Sequence, residues 1–168
     1  MKRNKEEKKS LTLALGSNLG DRRGSLTKAE KLISHNIGSI IKKSSLYETA
    51  PWGFADQPFF LNCVLEVETT LKPTEIIHRI LKIEKVMGRK RTFKNAARII
   101  DIDILFYNDL ILKRTNLTIP HPAIQQRRFI LEPLREMIPD RIHPVLQKKI
   151  SQLAQECTDP LEVKKIGE

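Results

Sequence analysis

Cysteine is almost absent from this 168-residue chain: Cys63 and Cys157 stand alone, far apart and outside any CxxC or Cys/His spacing. Neither a disulfide framework nor a zinc site is suggested, which leaves both thiols as packing residues. Long apolar runs are also missing. No stretch approaches the ~20 apolar residues of a membrane span, and Met1 is followed by charge instead of the apolar segment of a secretory signal. A cytoplasmic protein with no membrane partner is therefore expected. No internal repeat occurs, which argues against a solenoid. The nucleotide-binding signature GxxxxGK[ST] is absent, as is the GxGxxG, HRD and DFG set, so a nucleotide would be held by some other scheme.

Acidic residues are in deficit: 20 Asp and Glu against 30 Lys and Arg leave a formal charge of +10, which favours anionic partners such as nucleotides, RNA or acidic surfaces. Five cations and two glutamates fall within residues 2–9. That composition reads as a solvated, disordered basic tail over residues 1–10. The remainder, 11–168, has the length and apolar content for a single domain with one continuous core.

Residues 11–17 alternate and then meet Gly16 and Gly20, a first strand running into a turn, with Asp21 placed to cap the segment after it. Leu26, Ala29, Ile33 and Ile37 recur at helical spacing before Gly38. Residues 39–48 read as a strand, followed by a long turn-rich loop through Pro51 and Pro58. In the next strand, Phe59 to Thr69, alternation puts Phe60, Asn62 and Val64 on one face and Leu61, Cys63, Leu65 and Val67 on the other. Pro73 opens a helix striped by Ile76, Ile80 and Ile83 and ended by Gly88. After a basic segment comes RIIDIDILF, a strand with Ile100, Ile102, Ile104 and Phe106 expected on one face. Residues 108–109 form a turn, 117–122 a short extended piece, and 127–138 and 145–157 helices. The order β-α-β-β-α-β with a C-terminal extension is that of an α+β, ferredoxin-like sandwich: an antiparallel sheet with helices on one face and the other face free for ligands.

The alternation in RIIDIDILF leaves Asp101 and Asp103 side by side opposite the isoleucines. Carboxylates at i and i+2 on a strand lie roughly 7 Å apart at Cα, close enough to share hard cations that sit ~3.5–4 Å apart in two-metal sites. Magnesium suits oxygen ligands shared with phosphate. Such a pair can also merely decorate a solvated face, and a basic loop can be merely surface. Here Arg89, Lys90, Arg91, Lys94 and Arg98 immediately precede the carboxylates, and the combination points to metal-bound polyphosphate. Phe60 could stack a flat heterocycle whose edge Asn62 reads, with Phe129 as a second aromatic plane. His121, between two prolines, could meet phosphate.

In order along the chain, GSNLGDR, ETAPWGFADQPFFLN, E-x-x-x-G-R-x-R at 84–91, R-x-x-DIDIL, LTIPHP and RRFILEPL resemble the 6-hydroxymethyl-7,8-dihydropterin pyrophosphokinase family across nearly all of residues 11–150. The resemblance implies a ferredoxin-like monomer that binds ATP with two magnesium ions, then the pterin, and forms AMP and the pterin diphosphate. By motif position it implies metal ligands at Asp101 and Asp103 and catalytic arginines at Arg89 and Arg98. ATP contacts fall at Glu84, Arg91, Ile104, Thr118, His121 and Arg127, and pterin contacts at Thr49, Ala50, Trp52, Phe60, Asn62 and Phe129. A proton role for Asp101 is a further expectation. Many members carry a tryptophan and a Gly-Pro pair where this chain has Lys94-Asn95-Ala96-Ala97, and a tyrosine where it has Phe60.

Two other readings compete. A basic ferredoxin-like sheet with exposed aromatics also describes RNA-binding modules, but the RNP1 pattern is absent and two aspartates on the binding face would repel phosphates. No nucleic-acid partner is expected. A different magnesium-dependent nucleotidyl- or phosphotransferase would use the same carboxylates and differ in its product.

Overall fold

The computed structural model describes residues 6–167. Its elements run β1 (Lys9–Ser17), α1 (Arg22–Asn36), β2 (Ser39–Lys43), β3 (Leu46–Thr49), β4 (Phe60–Thr69), α2 (Pro73–Val86), β5 (Asp101–Tyr107), β6 (Leu112–Arg114), β7 (Leu117–Ile119), a single 3-10 turn (Ile124–Gln126), α3 (Arg128–Met137), α4 (Ile150–Glu156) and β8 (Val163–Gly167). The large sheet has the order β5-β1-β4-β3-β8, with β2 paired to β4 beyond the end of β3. Every pairing is antiparallel. This is the interleaved arrangement of a ferredoxin-like fold with one added edge strand. Of the tail expected over 1–10, residues 1–5 lie outside the described residues. Lys9 and Ser10 already pair with Thr69 and Glu68, so the first strand starts two residues early.

The helices begin and end where local chemistry dictates. Asp21 Oδ1 accepts the Gly24 N–H at 3.0 Å and caps α1. Pro73 enters α2 where its missing N–H is harmless, and the Glu75 carboxylate accepts the Lys72 N–H at 2.8 Å. The striped faces of α1 and α2 close over one side of the sheet, burying Leu26, Ala29, Ile33, Ile76 and Ile80 against Leu11, Leu13, Leu65 and Ile102. Each leucine or isoleucine among them contributes about 1.5–3 kcal/mol by leaving water.

Four expectations need correction. The strand over 39–48 is two strands, broken at Ser44, whose Oγ accepts the Val64 N–H at 2.9 Å and fills the gap. Phe106 does not share a face with Ile104: the β1–β5 register shifts between Thr12 and Leu13, and the extra residue turns Phe106 to the opposite side. There Phe106 joins Val64 under Ile130 and Leu134 of α3 and Leu153 of α4. The second face is therefore not wholly free, because the C-terminal helices cover the part at Val64 and Phe106 and leave the end at Phe60, Asn62 and Asp101 open to ligands. The helix expected over 145–157 starts only at Ile150, because the His143 ring holds the preceding turn by accepting the N–H groups of Val145 and Leu146.

Candidate active site

The open end of the second face is a cavity of about 220 Å3. Its floor is set by strand register. Asp101 of β5 stands opposite Gly16 of β1, which stands opposite Asn62 of β4, so the three occupy one row across the sheet. Gly16 is required there: a Cβ on it would come within 2.4 Å of Asn62 Oδ1 and 3.4 Å of the Phe60 ring. The freed space lets Asn62 lie across β1, and its Nδ2 donates to Thr49 Oγ1 at 2.6 Å.

Eleven of the sixteen residues singled out from the sequence line this cavity: Thr49, Ala50, Trp52, Phe60, Asn62, Arg98, Asp101, Asp103, His121, Arg127 and Phe129. Three elements deliver six of them as short-range pairs: Phe60 and Asn62 from β4, Asp101 and Asp103 from β5, and Arg127 and Phe129 from the start of α3. Arginines lie over the aromatic rings, with Arg98 5.1 Å from the Phe60 centroid and Arg127 5.6 Å and 5.8 Å from those of Trp52 and Phe129. Aromatic and cationic recognition thus meet within one wall.

The other five sit beside the cavity. Glu84, buried in the last turn of α2, binds Arg89 through Oε2, meets Arg91 at 3.4 Å and accepts the Ile102 N–H at 3.3 Å. Burial raises its pKa, opposed chiefly by Arg89. Arg89 in turn donates to Asp101 Oδ1 at 2.8 Å, and Arg98 Nε lies 3.7 Å from Asp101 Oδ2. Glu84 therefore holds Arg89 against the first carboxylate. The Ile104 side chain is buried in the core under α1 and α2, so whatever it offers a ligand is backbone from edge strand β5. Thr118 is half-buried on β7.

The two aspartates differ. Asp101 is engaged by two arginines, whereas none of the described side-chain hydrogen bonds reaches the Asp103 carboxylate. Burial first, and the neighbouring Asp101 carboxylate second, push the Asp103 pKa up against the pull of Arg127. Burial and then Arg127 push His121 down to about 4. Its Nδ1 accepts the Ala123 N–H at 3.1 Å, so the neutral ring carries its proton on Nε2.

Sequence reading missed Asn18, Gln57 and Asn95. Asn18, 2% exposed, joins the two loops that flank the cavity. Its Nδ2 donates to Gln57 Oε1 at 2.9 Å and to Pro58 O at 3.0 Å, while its Oδ1 accepts the Arg98 N–H at 2.8 Å. Gln57 Nε2 donates to Asn95 O at 2.7 Å. Asn95 lines the cavity with φ 60° and lies against Gly53, where φ is +83° and a Cβ would meet Asn95 Nδ2 at 2.4 Å. Phe54 and Phe93 close the same junction edge to face, with centroids 5.2 Å apart. The only sequence signal was an asparagine set in a Gly-rich turn.

Comparison with known proteins agrees with the geometry. The profile of the 7,8-dihydro-6-hydroxymethylpterin-pyrophosphokinase (HPPK) family matches residues 12–139. A 2-amino-4-hydroxy-6-hydroxymethyldihydropteridine pyrophosphokinase from Aquifex aeolicus is 42% identical over 146 residues, covering 87% of this chain and 91% of that protein. One of the same name from Bacillus subtilis is 40% identical, covering 74% and 75%. In fold, the chain resembles Plasmodium falciparum HPPK-DHPS, wild type with pterin and p-hydroxybenzoate, with a TM-score of 0.72 at 23% identity; the match covers 91% of this chain and 44% of that one. The chain belongs to the 7,8-dihydro-6-hydroxymethylpterin-pyrophosphokinase family.

Proposed function

We propose that the chain transfers the terminal diphosphate of ATP to the hydroxymethyl oxygen of 6-hydroxymethyl-7,8-dihydropterin, releasing AMP and the pterin diphosphate of folate synthesis. The observation that carries this reading is a single cavity with two chemistries side by side: aromatic rings and a buried amide, and paired carboxylates among arginines. In this reading the pterin stacks with Phe60 and Phe129, Asn62 and the backbone of Thr49, Ala50 and Trp52 read its polar edge, and the ring alcohol faces Asp101 and Asp103. Glu84, Arg91, Ile104, Thr118, His121 and Arg127 receive ATP.

The donor set suits hard cations. Among the described residues no three His, Cys, Asp or Glu side chains gather as a metal cluster, so ions held by Asp101 and Asp103 would complete their coordination with phosphate oxygens and water, as magnesium does. Two magnesium ions bound there would offset phosphate charge. Arg98, on the cavity wall, and Arg89, held by Glu84 and Asp101, supply fixed positive charge where the transferring group becomes loose. The new bond joins the hydroxymethyl oxygen to the β-phosphorus as the O–H bond breaks and its proton passes to solvent, and the bond from that phosphorus to the α,β-bridging oxygen breaks with its electron pair leaving on AMP. With both oxygens of Asp101 facing arginines, a proton role for it loses support, and transfer of this kind does not need a strong base.

The test is product analysis with ATP, magnesium and the pterin alcohol. Pterin-dependent AMP, lost about 100-fold or more in Asp103→Ala, is the expected result. ADP would move the reaction to phosphoryl transfer, and AMP formation undiminished in the variant would overturn the carboxylate assignment. Absence of turnover in wild type would favour a binding module.

A further inference from the structure

The family match stops at residue 139, yet a later stretch holds two walls of the cavity. Asp159 is 6% exposed. Its Oδ2 accepts the Arg128 N–H at 3.0 Å, its Oδ1 accepts the Leu161 N–H at 3.0 Å, and its carbonyl accepts Arg128 Nε at 3.0 Å. Arg128 Nη2 also donates to Cys157 O at 2.7 Å. The residue preceding α3, Arg127, has no side-chain acceptor to cap the helix and makes no capping bond. A carboxylate 31 residues away therefore takes that place.

Arg128 lies between Arg127 and Phe129, both of which line the cavity. With the Arg128 backbone and guanidinium both bound to residues 157–159, its two neighbours are presented to the cavity. Four residues on, the same stretch pairs Val163 with Thr49, and the Glu162 carbonyl accepts the Ala50 N–H at 3.0 Å. One continuous segment thus braces the Phe129 wall and the Thr49–Ala50 wall against each other.

We infer that Asp159 is a positioning residue for the pterin subsite: it acts through Arg128 to set the spacing between Phe129 and the Thr49–Ala50 wall, without touching substrate. The inference rests on the pterin reading of the cavity. A variant that loosens this brace should widen the aromatic slot while leaving the loop arginines and β5 carboxylates in place.

The experiment titrates wild type, Asp159→Ala and Asp159→Asn by calorimetry, first with a non-hydrolysable ATP analogue and magnesium, then with the pterin alcohol on the nucleotide complex. Loss of a helix cap corresponds to pterin affinity weakened about five- to tenfold in Asp159→Ala, with analogue affinity falling by no more than about threefold, because Arg127, the one nucleotide contact the brace also presents, is one of six residues assigned to ATP. Asp159→Asn, which keeps one of the two acceptors, should fall between. It also carries the test if the alanine variant fails to fold. Steady-state kinetics should show the pterin KM rising with kcat nearly unchanged. Equal pterin affinity across the three proteins, or equal loss for both ligands, would overturn the positioning role. A wild type that binds nucleotide but no pterin would overturn the pterin reading and this inference together.

Discussion

Asn18→Ala should separate the two loops that flank the cavity. The side chain makes three hydrogen bonds while 2% exposed, two to the 57–58 segment and one to the Arg98 backbone. At roughly 0.5–1.5 kcal/mol net apiece, the substitution costs about 2–4 kcal/mol. For a domain of this size that lowers Tm by about 5–15 °C. Arg98 reports the functional side, because its backbone is held by the Asn18 side chain and by the Asn18 N–H donating to Arg98 O at 3.1 Å. Losing half of that clamp should reduce kcat by about 10- to 100-fold through misplacement of the guanidinium. Asn18→Asp sharpens the test. It keeps the acceptor for Arg98 but turns a carboxylate toward Gln57 Oε1 and Pro58 O. Gln57 cannot turn its amide to help without giving up its bonds to Phe54 O and Asn95 O, so the aspartate variant should be at least as unstable as the alanine variant at neutral pH. Differential scanning fluorimetry and steady-state kinetics on the three proteins suffice. A Tm within about 2 °C of wild type, with kcat within twofold, would refute the reasoning.

Two further outcomes concern His143 and the Phe54–Phe93 contact. Burial, and then Arg141, depress the pKa of His143, whose ring accepts two backbone N–H groups. As pH falls below the ordinary value of about 6.5, the unfolded chain binds a proton that the folded ring still refuses, so stability drops on acidification. Thermal melts between pH 7.5 and 5 should show a steeper loss for wild type than for His143→Asn, which keeps an acceptor; equal slopes would remove His143 as the cause. For the Phe54–Phe93 contact, a double-mutant cycle to alanine should return a coupling of about 0.5–1.5 kcal/mol. Hydrogen exchange should rise in residues 52–58 and 89–97 together, and a rise confined to one loop would show that the rings do not tie them.

Legibility in the sequence tracks the range of each interaction. The strand alternation that sets Phe60 beside Asn62 and Asp101 beside Asp103 needs only neighbouring residues, and so do the stripes of α1 and α2 and the caps at Asp21 and Pro73. Phe106 departs from its expected face because that face depends on a register shift against Thr12 and Leu13, which no local pattern records. The segment VKKIG is too polar to announce a strand, and becomes β8 because β3 offers it an unpaired edge. The same division runs through the site. Groups suited to touch ligand come as pairs two residues apart, whereas the groups that aim them act across long separations: Asn18 to Arg98 over 80 residues, Asn18 to Gln57 over 39 and Asp159 to Arg128 over 31. Chemistry of recognition is therefore readable one strand at a time, but the spacing of the walls is a property of chain closure. Substitution at Asn18 should consequently alter rate, and at Asp159 pterin affinity, without removing any group that meets a substrate.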